Sequence, residues 1–250
     1  MNADTRPDAN LSTRVDALEA LLTRIATEYA PATFASSLSI EDMVLTDAIL
    51  RNKIGIEIFT LDTGRMHADT LAVIDAICSK YGNAIGVYRP ETGAVRHYVT
   101  VHCRDAFYRN VGLRKECCDI RKVEPLRRAL AGKKAWLTGM RREQSVTRTE
   151  LALQAFDAVF GLEKFNPLAH WSENDAWAYL RAYEVPYNAL YDQGYRSIGC
   201  APCTRPVVEG EDLRAGRWWW ELPQSKECGL HVLPDGKLQR SKDVQTGDAA

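Results

Sequence analysis

Four of the seven cysteines fall into two pairs, Cys117-Cys118 and Cys200-Ala-Pro-Cys203. Two residues between thiols let the chain turn until both sulfurs face one centre, which makes CxxC a common metal chelate. Adjacent cysteines are a different case. Neighbouring residues diverge on a helix and on a strand, so two adjoining thiolates suit a target with several metal corners better than one small ion. A four-cysteine iron–sulfur cube offers such corners. A tetrahedral zinc site also takes four cysteines, normally as two CxxC pairs, and on spacing alone both stay open, as do plain buried or redox cysteines. Near the C-terminus, Lys226-Glu-Cys228-Gly-Leu-His231 sets another thiol between two cationic groups. Such neighbours raise the thiolate fraction of a nucleophile, although a chance exposed cysteine fits the same residues. Cys78 has the spacing of a helix core position and Cys103 has no motif around it. The histidines at 67, 97, 102 and 170 show no ligand spacing.

Three further stretches have the make-up of anion sites. Ser36-Ser-Leu-Ser-Ile-Glu-Asp42 is a small-residue turn ahead of a helix, where backbone N–H groups and the helix dipole favour an anion. Its candidate contacts are Ser37, Ser39 and Asp42; the plainer reading is a helix cap. Leu61-Asp-Thr-Gly-Arg65 is a second such turn, with Thr63, Gly64 and Arg65 as candidates. Arginines cluster as Arg141, Arg142 and Arg148, and again as Arg214 and Arg217 ahead of Trp218-Trp-Trp220. Guanidinium forks match phosphate and sulfate oxygens, whereas a single arginine is more often a solvated surface charge. The tryptophan run reads as packing rather than base stacking.

The elements that must position these groups follow from periodicity. Leu11, Val15, Leu18, Leu22, Ile25 and Tyr29 mark an amphipathic helix ending before Pro31. Strand, turn and helix then alternate. Strands are expected at 33–36, 56–60, 84–88 and 135–138, with helices running to Leu50, to Lys80 and over 95–102. The cysteine pair is expected to open a helical stretch, 116–131, that Pro125 kinks or restarts. Ser172 is expected to cap a helix running to Tyr183. This order predicts an α/β fold, a parallel sheet with helices on both faces and ligands at the carboxyl ends of the strands. Residues 1–10 read as a disordered tail, 11–222 as a single α/β domain, and 223–250 as a mobile tail carrying Cys228.

At 250 residues, with 46% hydrophobic and 26% charged, the composition is that of an ordinary globular chain. A net charge of -1 gives no general attraction to nucleic acid or to an anionic membrane. The polar start lacks the pattern of a secretory signal, and no stretch has the apolar length of a span. The odd cysteine count suits a reducing compartment, so a cytoplasmic location is expected.

Taken in order, these motifs resemble the assimilatory sulfonucleotide reductases. The likeness runs from about Thr33 to His231. It is carried by Ser37-Leu-Ser-Ile-Glu-Asp42, Leu-Asp-Thr-Gly-Arg65, Cys117-Cys118 with Arg121-Lys122, Arg-Arg-Glu-Gln-Ser145, Cys200-Ala-Pro-Cys203, Glu-Asp-Leu-Arg-Ala-Gly-Arg217 and Lys-Glu-Cys-Gly-Leu-His231. The resemblance implies an adenine-nucleotide α-hydrolase-like fold. Its paired cysteines imply the branch that holds a 4Fe-4S cluster, here on Cys117, Cys118, Cys200 and Cys203, and reduces adenosine 5′-phosphosulfate. The branch without them uses the 3′-phosphorylated nucleotide, which is the nearest rival. A zinc-stapled nucleotide-binding or RNA-modifying protein is the rival from another class. The first turn lacks both glycines of the related ATP pyrophosphatases' Ser-Gly-Gly-x-Asp-Ser loop, which argues against ATP cleavage. The resemblance further implies Cys228 as nucleophile with His231 beside it, Lys122 linking cluster and substrate, thioredoxin or a similar dithiol protein as reductant, and a homo-oligomer.

Overall fold

The computed structural model describes residues 9–82, 85–144 and 151–222. Helix α1 (Ala9–Glu28) starts inside the stretch expected to be a disordered tail, and its apolar stripe of Leu11, Val15, Leu18, Leu22 and Ile25 is buried. Then follow β1 (Ala32–Ser36), α2 (Ile40–Arg51), β2 (Glu57–Leu61), α3 (Ala68–Tyr81), β3 (Gly86–Tyr88) and α4 (Thr92–His102). The second half holds α5 (Val111–Cys118), a π-helical turn (Asp119–Val123), α6 (Glu124–Leu130), β4 (Ala135–Leu137), β5 (Gln154–Asp157), β6 (Leu162–Phe165) and α7 (Glu173–Ala182). Ser172 caps α7 in a reciprocal box with Asp175, as its side chain predicts.

The sheet runs β3-β2-β1-β4-β6-β5. All pairs are parallel except β5–β6. The expected parallel sheet is thus present, with one antiparallel pair added at its edge, where two short strands are joined by a tight connection. Period-2 alternation divides the core. Phe34, Leu137 and Phe165 pack with α1, α2, α3 and α7, while Trp136, Phe59 and Leu162 pack with Leu126, Ala129 and Leu130 of α6. Helix α2 is buried along Ile40–Ile49, all round.

Strand order reverses beside β1: β2 and β3 lie to one side, β4 and β6 to the other. Such a switch point leaves a crevice past the carboxyl ends of β1 and β4. Among the described residues no helix is long and apolar enough to cross a membrane.

Candidate active site

A cavity of about 240 Å³ fills that crevice. Its floor is the turn after β1. Leu38, at φ 64°, takes the left-handed bend that glycine usually supplies, and Leu38 N–H donates to Ser36 Oγ at 3.2 Å. The Asp42 carboxylate closes the turn by accepting from Ser37 N–H at 2.6 Å and Ser37 Oγ–H at 2.5 Å. Burial pushes Asp42 up to about 6, against the pull of those two hydrogen bonds. The chain after β4 comes so close that a Cβ on Gly139 would collide with the Asp42 carboxylate. Tyr191 accepts the Ile40 N–H at 3.3 Å from across the cavity.

Behind one wall lies a second, smaller hollow of about 20 Å³, lined by Cys117, Cys118, Cys200 and Cys203 together with Arg65, Arg114, Arg121 and Lys122. The two pairs, remote in sequence, thus converge. Cys117 and Cys118 close α5 rather than opening a helix, and the π-helical turn, not Pro125, breaks the helical run after them; Pro125 sits in the first turn of α6. Arg114 hydrogen-bonds Cys118 and Arg121 hydrogen-bonds Cys117. Burial, then the neighbouring Cys200 and Cys118, pushes Cys203 up to about 12; burial also raises Cys117. Among the described residues no group of three or more His, Cys, Asp or Glu has the spacing for a single metal ion.

Lys122 and Cys200 line both hollows. Thr63, on the cavity side, holds its Oγ1 3.2 Å from Cys200 Sγ, and Arg121 Nη1 donates to the Thr63 carbonyl at 2.6 Å.

The family described as the phosphoadenosine phosphosulfate reductase domain matches residues 31–206. A protein of Allochromatium vinosum named adenosine 5′-phosphosulfate reductase is 53% identical over 231 residues, 92% of this chain and 88% of its own. The chain belongs to the adenosine 5′-phosphosulfate reductase family. A Burkholderia cepacia protein of the same name is 55% identical over 222 residues, 89% of either chain. Among solved structures, a Candida auris phosphoadenylyl-sulfate reductase in a phosphate complex superposes with a TM-score of 0.64 at 23% identity, covering 83% of this chain and 99% of that one. A Candida glabrata FMN adenylyltransferase gives 0.56 at 14% identity, covering 97% and 79%. At these identities the likeness is one of fold, the adenine-nucleotide α-hydrolase-like fold that the motifs implied.

Within this family member the structure brings Ser37, Ser39, Asp42, Thr63, Lys122, Arg141, Arg214 and Arg217 to the cavity. It keeps others away. Arg142 does not line the cavity, and its Nε donates to the Leu151 carbonyl at 2.9 Å. Gly64 and Arg65 are absent from the cavity wall; Arg65 lines the cysteine hollow and is tied to Asp105 at 2.7 Å. Arg141 reaches the cavity, but its guanidinium is engaged by buried Glu41 at 2.8 Å. The turn 61–65 thus faces both hollows, Thr63 toward the cavity and Arg65 toward the cysteines. Cys228, His231 and Arg148 lie outside the described residues. Unforeseen lining residues are Tyr191, Gln144 and Arg196, the last paired with Glu173 at 2.7 Å. Gly139 carried a signal, a glycine directly after a strand; Arg114 carried none, since nothing in its neighbours marks it as buried.

Proposed function

We propose that the chain reduces adenosine 5′-phosphosulfate to sulfite and AMP, in assimilatory sulfate reduction. One observation carries this reading: a cavity at the switch point of a nucleotide-binding fold shares its wall, Lys122 and Cys200, with four converging cysteines. The two relatives named above, which cover about nine-tenths of the chain, bear that activity in their names, which favours the nucleotide without a 3′-phosphate.

The four thiols fit a multi-metal group. They converge on one hollow from two stretches far apart in sequence, and Arg114, Arg121 and Lys122 supply positive charge around them, which suits the negative charge of a thiolate-ligated cluster. A 4Fe-4S cluster held by Cys117, Cys118, Cys200 and Cys203 would, when bound, staple α5 to the Cys200–Cys203 turn and set the field at the cavity wall. Lys122, common to both hollows, places a cation between that centre and the substrate's anionic groups. Arg214 and Arg217 line the cavity and are suited to the phosphosulfate oxygens. The Ser37, Leu38 and Ile40 N–H groups are engaged within the protein, so the N-terminus of α2 would favour the nucleotide's anionic groups through its dipole and the Ser39 side chain.

The Cys228 thiolate attacks the sulfonate sulfur. An S–S bond forms, the O–S bond to the nucleotide breaks, and AMP leaves with the electron pair. A dithiol of the thioredoxin class then attacks the thiosulfonate, releases sulfite with two electrons and ends as a disulfide. Mixing enzyme and adenosine 5′-phosphosulfate without reductant should release about one AMP per site and stop. The sulfonate mass should map to the peptide holding Cys228. Cys228→Ser should bind nucleotide and keep its iron yet give neither burst nor adduct. Sulfite from that variant, or an adduct on another cysteine, would falsify the mechanism.

A further inference from the structure

Arg114, Trp218 and Glu221 stand outside the wall of the nucleotide cavity, yet they meet at one buried point beside it. The Arg114 side chain is fully buried and that of Glu221 is 4% exposed. Arg114 Nε and Nη2 donate to the two Glu221 oxygens at 2.8 and 2.9 Å. The same guanidinium hydrogen-bonds Cys118 and lies 4.5 Å from the centre of the Trp218 ring. A second guanidinium, that of Arg217, lies 4.6 Å from the same ring centre, and Arg217 lines the cavity. Trp218 stands at φ 41°, a left-handed value that a bulky residue adopts only when its surroundings hold it there. Its N–H donates to the Cys203 carbonyl at 3.1 Å, and its carbonyl accepts from Glu221 N–H at 2.9 Å.

We propose that Arg114, Trp218 and Glu221 are positioning residues that aim Arg217 at the anionic groups of the nucleotide. The inference rests on reading the cavity as the nucleotide site. Two guanidinium groups against one indole repel each other, strongly so where water is excluded. The Glu221 fork cancels the Arg114 charge, so Arg217 can lie on the ring without a second net cation beside it. The indole face in turn fixes the Arg217 plane, and the backbone bonds on either side of Trp218 fix the indole to the CxxC turn. Arg217 is thereby set in advance of binding, which spares the nucleotide the cost of ordering it.

AMP binding to the purified full chain tests this, with iron counted in every sample. Trp218→Phe should raise the AMP dissociation constant about tenfold at wild-type iron content, because a smaller ring holds a cation less well. Glu221→Gln, close in shape, should raise it by a smaller factor and carries the same test if the Trp218 variant does not fold. The deciding measurement is a double-mutant cycle. In an Arg217→Ala background both substitutions should cost almost nothing more, since their effect passes through Arg217. Unchanged dissociation constants overturn the proposal. So does an equal loss with and without Arg217, or a loss that only follows missing iron. A wild-type chain that binds no AMP would sink the nucleotide reading itself, and this inference with it.

Discussion

The cavity at the strand ends and the cysteine hollow share Lys122 and Cys200 but are built on opposite plans. The cavity is made of backbone turns at strand ends, and several of its charges are balanced within the protein. Arg141 meets Glu41, Arg196 meets Glu173, and Asp42 turns back onto Ser37. The cysteine hollow is made of side chains from two stretches far apart in sequence. Its arginines brace against partners around it: Arg65 on Asp105, Arg114 on Glu221, Arg121 on the Thr63 carbonyl. What faces inward is sulfur, and burial drives Cys203 and Cys117 toward the neutral thiol. The cavity thus rests on contacts within the protein, whereas on the proposed reading the hollow would be completed by the cluster its cysteines hold.

The largest expected effect breaks the hollow and spares the cavity. Serine at Cys117, Cys118 or Cys203 should leave a pale protein with little iron. Its sulfite production should fall by more than the roughly hundredfold that losses around a metal site reach. AMP binding should change little in these three. Cys200→Ser should lose iron and also weaken AMP binding, because Cys200 alone of the four lines the cavity. Full iron in all four variants would end the metal assignment, and identical AMP binding in all four would end the idea of a shared wall.

A second expectation concerns the cavity alone. Asp42 titrates at about 6 when folded, against 3.8 ordinarily, because it is buried. Well below pH 3.8 both states hold the proton. As pH rises from about 4 to about 6, the unfolded chain ionises first and the fold loses about 3 kcal/mol through this one group. Asp42→Asn has no such proton. The difference in thermal midpoint between the two proteins should therefore move in favour of the variant across that window and stay constant above it. Parallel profiles would mean that the carboxylate is better solvated than its burial indicates.

The two regions also differ in how much of them the residues declare in advance. Thiol spacing is a local property, so Cys117-Cys118 and Cys200-Ala-Pro-Cys203 could be paired before any fold was known. The turn after β1 was equally legible, because small residues between a strand and a helix are a local pattern too. Direction was not. The Leu61–Arg65 turn has the make-up of an anion contact and its Thr63 lines the cavity, but Arg65 faces the cysteines, since the Ala201 N–H binds the Arg65 carbonyl and draws that end of the turn toward the CxxC. Arg142 leaves the cavity for the Leu151 carbonyl in the same way. Strands β5 and β6 are short and carry Gln154, Glu163 and Lys164, so no apolar alternation announced them. Arg114 and Glu221 are 107 residues apart, and only the finished fold makes them a pair.

The smallest expected effect lies on the wall itself, at Thr63. Arg65 N–H donates to Thr63 Oγ1 at 3.2 Å, and the same oxygen lies 3.2 Å from Cys200 Sγ, a contact in which either atom can donate to the other and only the hydroxyl can donate to a thiolate. Valine keeps the shape and deletes the hydroxyl. A single hydrogen bond contributes about 1 kcal/mol, so AMP affinity should change by no more than about fivefold, and iron should remain. The sulfur is where the change should register. A hydrogen bond to a cluster thiolate stabilises the added electron, so removing it should lower the reduction potential and shift the visible absorption of the iron-loaded protein. Thr63→Ser keeps the hydroxyl and should restore both. If the valine and serine variants share one potential, the hydroxyl does not touch the cluster's electrons and Thr63 belongs to the cavity alone. If they differ while AMP affinity stays put, Thr63 belongs to the hollow, and the boundary between the two regions runs on the cavity side of that side chain.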